Sequence, residues 1–167
     1  NLPTINGVME SNGRHYAARD VRYQSWRDSV IFSLDIARVF AGEANVKKWV
    51  RSIKMDRTQG AVVVREDYIL GAAPKDLTLT LMTSGRVLNM ETDRLVVRVG
   101  NVGEGHRPID VEIQFEPDKL QPTVETIEIE DEELRAEWGT NLQRILLKTR
   151  NPLQAGSFTV SFRRSLK

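Results

Sequence analysis

Ile109-Asp110-Val111-Glu112-Ile113-Gln114-Phe115-Glu116 carries an apolar side chain at every odd position and a polar one at every even position. Side chains of an extended strand point alternately to its two faces, whereas a helix would scatter these apolar residues around its circumference. The stretch is therefore predicted to be a β-strand, with Ile109, Val111, Ile113 and Phe115 on a core face and the polar residues toward solvent. A strand with one dry and one wet face belongs to an antiparallel sheet that packs on one side only.

The same period continues outward from it. Upstream, Leu77, Leu79 and Leu81 alternate with Thr78, Thr80 and Met82, and beyond the Ser84-Gly85 turn come segments 87–90 and 95–99, expected to be neighbouring antiparallel strands. A Gly-rich loop over 100–108, containing His106, leads into the quoted strand. Segments 46–57 and 61–70 read as a hairpin turned through Thr58-Gln59-Gly60. Downstream, Pro117 and Pro122 bracket a loop before a strand over 124–129, and the acidic run from Glu130 ahead of Gly139 predicts a short helix or turn. Segments 141–149 and 157–164 are expected to close the chain as a strand pair, with Phe158, Val160 and Phe162 facing inward.

Near the start, Asn6-Gly7 and Asn12-Gly13 are turn dipeptides that delimit short strands over 2–5 and 14–21. Segment 23–36 is extended, with a break at Arg27-Asp28. Asp35 can cap a single helical turn that Gly42 ends. Roughly 10–12 short strands with one or two helical turns predict an all-β fold, a two-layer antiparallel β-sandwich forming a single domain over residues 1–167.

Composition supports a folded domain and narrows the partners. A chain of 167 residues buries roughly two-thirds of its unfolded surface. It has 40% apolar and 28% charged residues, and its 24 basic against 23 acidic side chains leave a net charge of +1, which argues against nucleic acid as a partner. The absence of Cys excludes disulfides and thiolate metal sites. No run approaches the roughly 18 apolar residues of a membrane span. Because position 1 is Asn rather than Met, the chain is expected to be an excised piece of a longer polypeptide.

Most of the candidate chemistry lies in the opening twenty residues, which hold Asn6, Glu10, His15, Tyr16 and Asp20. His15, beside Tyr16 and close to Asp20, has the group types of a proton-transfer or metal-binding edge; the plain alternative is a surface His on a strand. On a regular strand His15 and Asp20 fall on opposite faces unless a bulge intervenes. His106 reads as a loop residue. The basic run Lys47, Lys48, Arg51, Lys54 and Arg57 includes Trp49 and can face an anionic polysaccharide, its cations pairing with carboxylate or sulfate and the indole stacking on a sugar. A solvated charged face is the alternative there. No phosphate-binding loop, nucleophile elbow or metalloprotease helix is present, so no complete catalytic set is visible.

Asn1-Leu-Pro-Thr-Ile-Asn-Gly7 followed by Gly13-Arg-His-Tyr-Ala-Ala-Arg-Asp-Val21 resembles the start of the C-terminal β-domain in heparinase II/III-like polysaccharide lyases. Asp35-Ile-Ala-Arg-Val-Phe40, Val50-Arg-Ser-Ile-Lys-Met-Asp-Arg57 and Val62-Val-Val-Arg-Glu-Asp-Tyr-Ile-Leu70 look like that family's Asp-containing strand, Arg-bearing strand and V-x-D-x-aromatic strand. The likeness covers the first half of the chain well and the second half only as a sandwich.

The resemblance implies an N-terminal α/α-toroid before this sandwich, with the active site in the cleft between them. Such lyases cleave uronic-acid polysaccharides by β-elimination. A base removes the C5 proton, an acid protonates the leaving oxygen, and the uronate carboxylate is neutralised. The toroid supplies much of this machinery, including a Tyr, so the fragment alone is expected to be inactive. Under the resemblance Asn1, Asn6, His15 and Asp20 are the sandwich's share of the cleft. Asn1 and Asn6, with Trp49 and Arg51, are the substrate contacts, and His15 is the candidate catalytic group.

A divalent metal, Zn or Ca, is implied for the full-length protein, held by a His just before the matched Asn, an Asp and a later His. Asp20 alone has a match, because Leu79-Thr-Leu-Met-Thr-Ser84 contains no His, and Glu10 stands where the family often has Gln. The implied partners are an acidic polysaccharide such as a glycosaminoglycan and the chain's own toroid, in a periplasmic or secreted setting. The competing reading is a non-catalytic carbohydrate-binding or structural sandwich that uses Trp49 and the basic strand.

Overall fold

The computed structural model of the chain describes residues 1–100 and 107–165; His106 lies outside them. The strands are β1 (Pro3–Ile5), β2 (Arg19–Ser25), β3 (Ser29–Asp35), β4 (Val46–Asp56), β5 (Ala61–Leu70), β6 (Leu77–Thr83), β7 (Arg86–Met90), β8 (Arg94–Val99), β9 (Ile109–Phe115), β10 (Leu120–Glu128), β11 (Asn141–Thr149) and β12 (Ala155–Arg164). Two short 3-10 turns, Ala37–Val39 and Gly42–Ala44, and one helix, α1 (Glu132–Trp138), complete the described residues. A four-stranded antiparallel sheet, ordered β1-β6-β11-β10, faces an eight-stranded one ordered β2-β3-β4-β5-β12-β9-β8-β7. The fold is the expected all-β sandwich.

Its core follows from the alternation. Leu77, Leu79, Leu120, Ile145 and Leu147 of the small sheet are buried against Leu95, Val97, Ile113, Phe115, Phe158 and Val160 of the large one. The helix begins at Asp131, whose carboxylate accepts the Leu134 N–H at 2.9 Å, and stops at Gly139, which has a φ of 86°. Among the described residues no helix is long and apolar enough to cross a membrane.

The structure corrects several local expectations. Ser84-Gly85 is a crossover between the sheets and not a hairpin, so β6 and β7 are not neighbours. β11 and β12 likewise lie in different sheets, β12 between β5 and β9. Pro122 is inside β10, opposite Leu147, where an edge strand tolerates the missing N–H. Gly42 opens the second 3-10 turn instead of ending the first. Residues 14–18 are not extended: Gly13 and Tyr16 close a turn, the Tyr16 N–H reaching the Gly13 carbonyl at 3.1 Å. The outer face of β9 is not simply wet either. Glu112 is only 7% exposed and accepts Arg163 Nε and Nη2 at 2.9 and 2.6 Å.

One row crosses the inner face of the large sheet through the paired residues Tyr23, Phe32, Ile53, Val64, Val160 and Phe115. Its far end lies under the small sheet. At its near end Tyr23 is 66% and Phe32 36% exposed, with Met55 beside them at 48%. The small sheet therefore does not reach over β2 and β3, and the inner face is bare there.

Candidate functional site

The polar cluster on the inner face is built by the pairing of β4 with β5. Trp49 sits opposite Tyr68 and Arg51 opposite Glu66, and by strand parity all four side chains share the inner face. Glu66 is 2% exposed. Its Oε2 accepts the Trp49 indole N–H at 2.6 Å, and its Oε1 accepts Arg51 Nε at 2.6 Å and Nη2 at 2.5 Å. Arg51 Nη1 donates to the Asn1 carbonyl at 2.8 Å, and Asn1 Oδ1 accepts the Met82 N–H of β6 at 2.7 Å. The cluster thus ties the large sheet to the small one.

Asn1, Arg51 and Glu66 border an intersheet cavity of about 370 Å3, otherwise lined mainly by aliphatic side chains such as Leu81, Val99 and Val111. Burial pushes the Glu66 carboxyl above the usual carboxylate range, opposed by the Arg51 guanidinium and the Trp49 N–H. Both Glu66 oxygens are engaged, so its chemical role is to fix Arg51 and not to accept a proton from a ligand. Arg51 in turn presents a held cation at the cavity mouth, its side chain 16% exposed.

Trp49 does not have the position its proposed role requires. It is 0% exposed and stacks with Tyr68 at 5.0 Å, which stacks on Phe158 at 5.3 Å. A sealed indole offers no ring face to a sugar, so the stacking role is corrected to a core one. Burial also raises the Tyr68 phenol above its ordinary value. The basic run does not form one row, because alternation separates its members: Arg51 points inward, Lys48 and Lys54 lie on the outer face, and Arg57 caps carbonyls of Trp26 and Arg27 at 2.8 and 3.3 Å.

The other candidates are spread out. Asn6 adopts a φ of 50°, and its Oδ1 accepts the N–H groups of Lys75 and Asp76 at 2.8 and 3.2 Å, which locks the approach to β6. His15 is exposed on the 13–16 turn, its ring 4.2 Å from that of Tyr16. Within the described residues no hydrogen bond or ion pair joins His15 to the Arg51 cluster. Asp20 is on β2, so the two do not share a strand. The register of β2 shifts between Arg19 and Arg22, and Asp20 has a φ of 50°, which marks the bulge.

No three His, Cys, Asp or Glu side chains among the described residues form a metal-holding group. Asp20 lies beside Asp35, whose Oδ1 already accepts the N–H groups of Ala37 and Trp49 at 2.8 and 3.3 Å. These residues do not fit the implied Zn or Ca.

Glu66 was not among the sequence candidates, although parity could have found it: Val62, Val64, Glu66 and Tyr68 share the inward face, and an acid in that row requires a buried partner. Asp67, the next residue along the strand, is on the outer face and pairs with Arg65 at 2.7 Å.

No family model matches the chain, and no curated protein matches it. Among solved structures, the crystal structure of heparan sulfate lyase HepC from Pedobacter heparinus superposes with a TM-score of 0.66 at 11% identity, covering 99% of this chain. A mutant of the same lyase gives the same figures. The chain spans 24% of the length of each. At that identity the likeness is one of fold.

Proposed function

We propose that this chain is the C-terminal sandwich of a lyase that cleaves uronic-acid-containing polysaccharides by β-elimination. In this reading it lines a cleft shared with a preceding helical toroid and does not house a complete active site. The observation that carries the proposal is the bare inner face of β2 to β4. Tyr23, Phe32 and Met55 continue the core row into solvent, and exposed apolar surface contiguous with a core marks an interaction site. The fold likeness to a heparan sulfate lyase about four times longer supports the reading.

The chain's own residues fit a supporting part in that chemistry. Arg51, fixed by Glu66 and Asn1, is a positioned cation suited to a uronate carboxylate at the intersheet mouth. His15 is exposed on the 13–16 turn, a side chain of the type that serves as a general acid or base. The polymer substrate suits a periplasmic or secreted setting.

Unsaturated-uronate absorbance tests the reading. The 167-residue chain alone is expected to give no turnover on heparan sulfate, hyaluronan or alginate, whereas the longer polypeptide with its helical domain turns over one of them. Clear turnover by the chain alone overturns the division of labour. If the preceding sequence is not helical, the interface reading falls.

A further inference from the structure

We propose that the outer face of the β2–β3–β4 sheet end is a second binding surface, a mixed-charge notch for an acidic oligosaccharide, separate from the cleft face. Arg19, Arg38 and Lys47 line one hollow with Asp20 and Asp35, about 410 Å3 in volume. Arg22 and Lys48 line an adjoining hollow of about 210 Å3 with the same two carboxylates. The shared Asp20 and Asp35 make the hollows one notch, and all five cations are exposed.

Several arginines elsewhere on the sheets are neutralised locally. Arg65, Arg94, Arg98, Arg144 and Arg163 each pair with a carboxylate. Within the described residues, none of the five notch cations forms an ion pair. Both register shifts at this end of the sheet sit among them: one lies between Arg19 and Arg22, the other between Val46 and Lys48. The second lets the consecutive Lys47 and Lys48 both face solvent. Bulges of this kind re-aim side chains.

The notch is not part of the cleft face. Arg22 pairs with Ser33 and Asp35 with Val50, which places them with Lys48 on the face opposite Trp49 and Arg51. Its lining selects the ligand class. Sulfate or carboxylate groups meet the cations, while sugar hydroxyls, which a bare polyanion such as polyglutamate lacks, donate to Asp20. The choice of sugar over other polyanions rests on the polysaccharide reading above.

Calorimetric titration of the 167-residue chain with a heparin octasaccharide tests the notch, with poly-L-glutamate and single-stranded DNA as rival polyanions. Binding is expected, and it weakens about tenfold in Lys47→Ala/Lys48→Ala and in Arg22→Gln, each lost contact being charge-assisted. Lys148→Ala on the small sheet leaves it unchanged. Thermal unfolding verifies that each variant is folded, and amide shifts in the wild type, expected only on β2, β3, β4 and the Ala37–Val39 turn, locate the site if a variant fails to fold. Absence of binding, shifts confined to the inner face, indifference to the notch variants, or equal affinity for polyglutamate or DNA overturns the proposal. A failed notch leaves the lyase reading intact, since turnover of the longer polypeptide reads that separately.

Discussion

Glu66 accepts the indole N–H of Trp49 at 2.6 Å while both side chains are sealed from water, Trp49 at 0% and Glu66 at 2% exposure. A buried carboxylate is tolerated only when every lone pair in use faces a donor, and here Arg51 supplies the remaining donors. The pair explains why a charged residue stands in a core row.

Glu66→Ala is expected to destabilise the chain by about 3–5 kcal/mol, because it strands the Arg51 guanidinium and the Trp49 N–H in a dry site. Glu66→Gln retains one acceptor and falls between Ala and wild type. Urea unfolding midpoints measure both. A loss below about 1 kcal/mol for Glu66→Ala would mean that water reaches the pair.

The same carboxyl gives the stability a pH signature. Burial raises the folded-state Glu66 carboxyl above its ordinary range, so the folded protein holds this proton more tightly than the unfolded chain. Its contribution is fully present below the unfolded value and is lost as pH rises through the folded one. The stability difference between wild type and Glu66→Gln should therefore shift against the wild type as pH climbs through that window, then level off. Denaturant titrations at a series of pH values check this; a difference that moves the opposite way means that Arg51 and Trp49 outweigh burial.

What could be read directly from the sequence was local. The strand over Ile109–Phe115 and the Thr58-Gln59-Gly60 turn of the β4–β5 hairpin depend on neighbours in the chain, and both stand in the structure, although Ile109 at the strand's start is exposed and Glu112 is buried. The division into sheets does not: Ser84-Gly85 has the same composition whether it reverses the chain within one sheet or carries it to the other. β11 and β12 are adjacent in sequence, yet they do not pair: β11 lies between β6 and β10, and β12 between β5 and β9. In the site, Arg51 was visible as a strand cation, but the acid that fixes it lies on the partner strand, where only parity singles it out. Trp49 looked like a sugar platform because it stands inside a run of basic residues, and a single strand's charges do not say which face its indole takes.

Gly85 is expected to resist replacement. A Cβ there would lie 2.6 Å from the Arg98 carbonyl oxygen and 2.8 Å from a Val99 methyl, and a backbone atom cannot move aside cheaply. Gly85→Ala should cost about 1–3 kcal/mol through overpacking at the crossover. Thermal unfolding of this variant beside Gly60→Ala separates packing from conformational strain, since Gly60 has a positive φ but nothing within 4 Å.

Asp20 distinguishes a backbone role from a side-chain role. With a φ of 50° at the β2 register shift, an ordinary L-residue is strained there by roughly 1–2 kcal/mol and glycine is not. If the bulge is what Asp20 supports, Asp20→Gly keeps the melting temperature near wild type, Asp20→Asn does the same, and Asp20→Ala lowers it. If the carboxylate instead serves the notch, Asp20→Asn and Asp20→Gly both weaken heparin-octasaccharide binding while leaving the fold intact. Melting curves and titrations on the three variants give two independent readouts. A Gly variant that unfolds as readily as the Ala variant would show that the conformation at Asp20 is not what holds the edge strand in register.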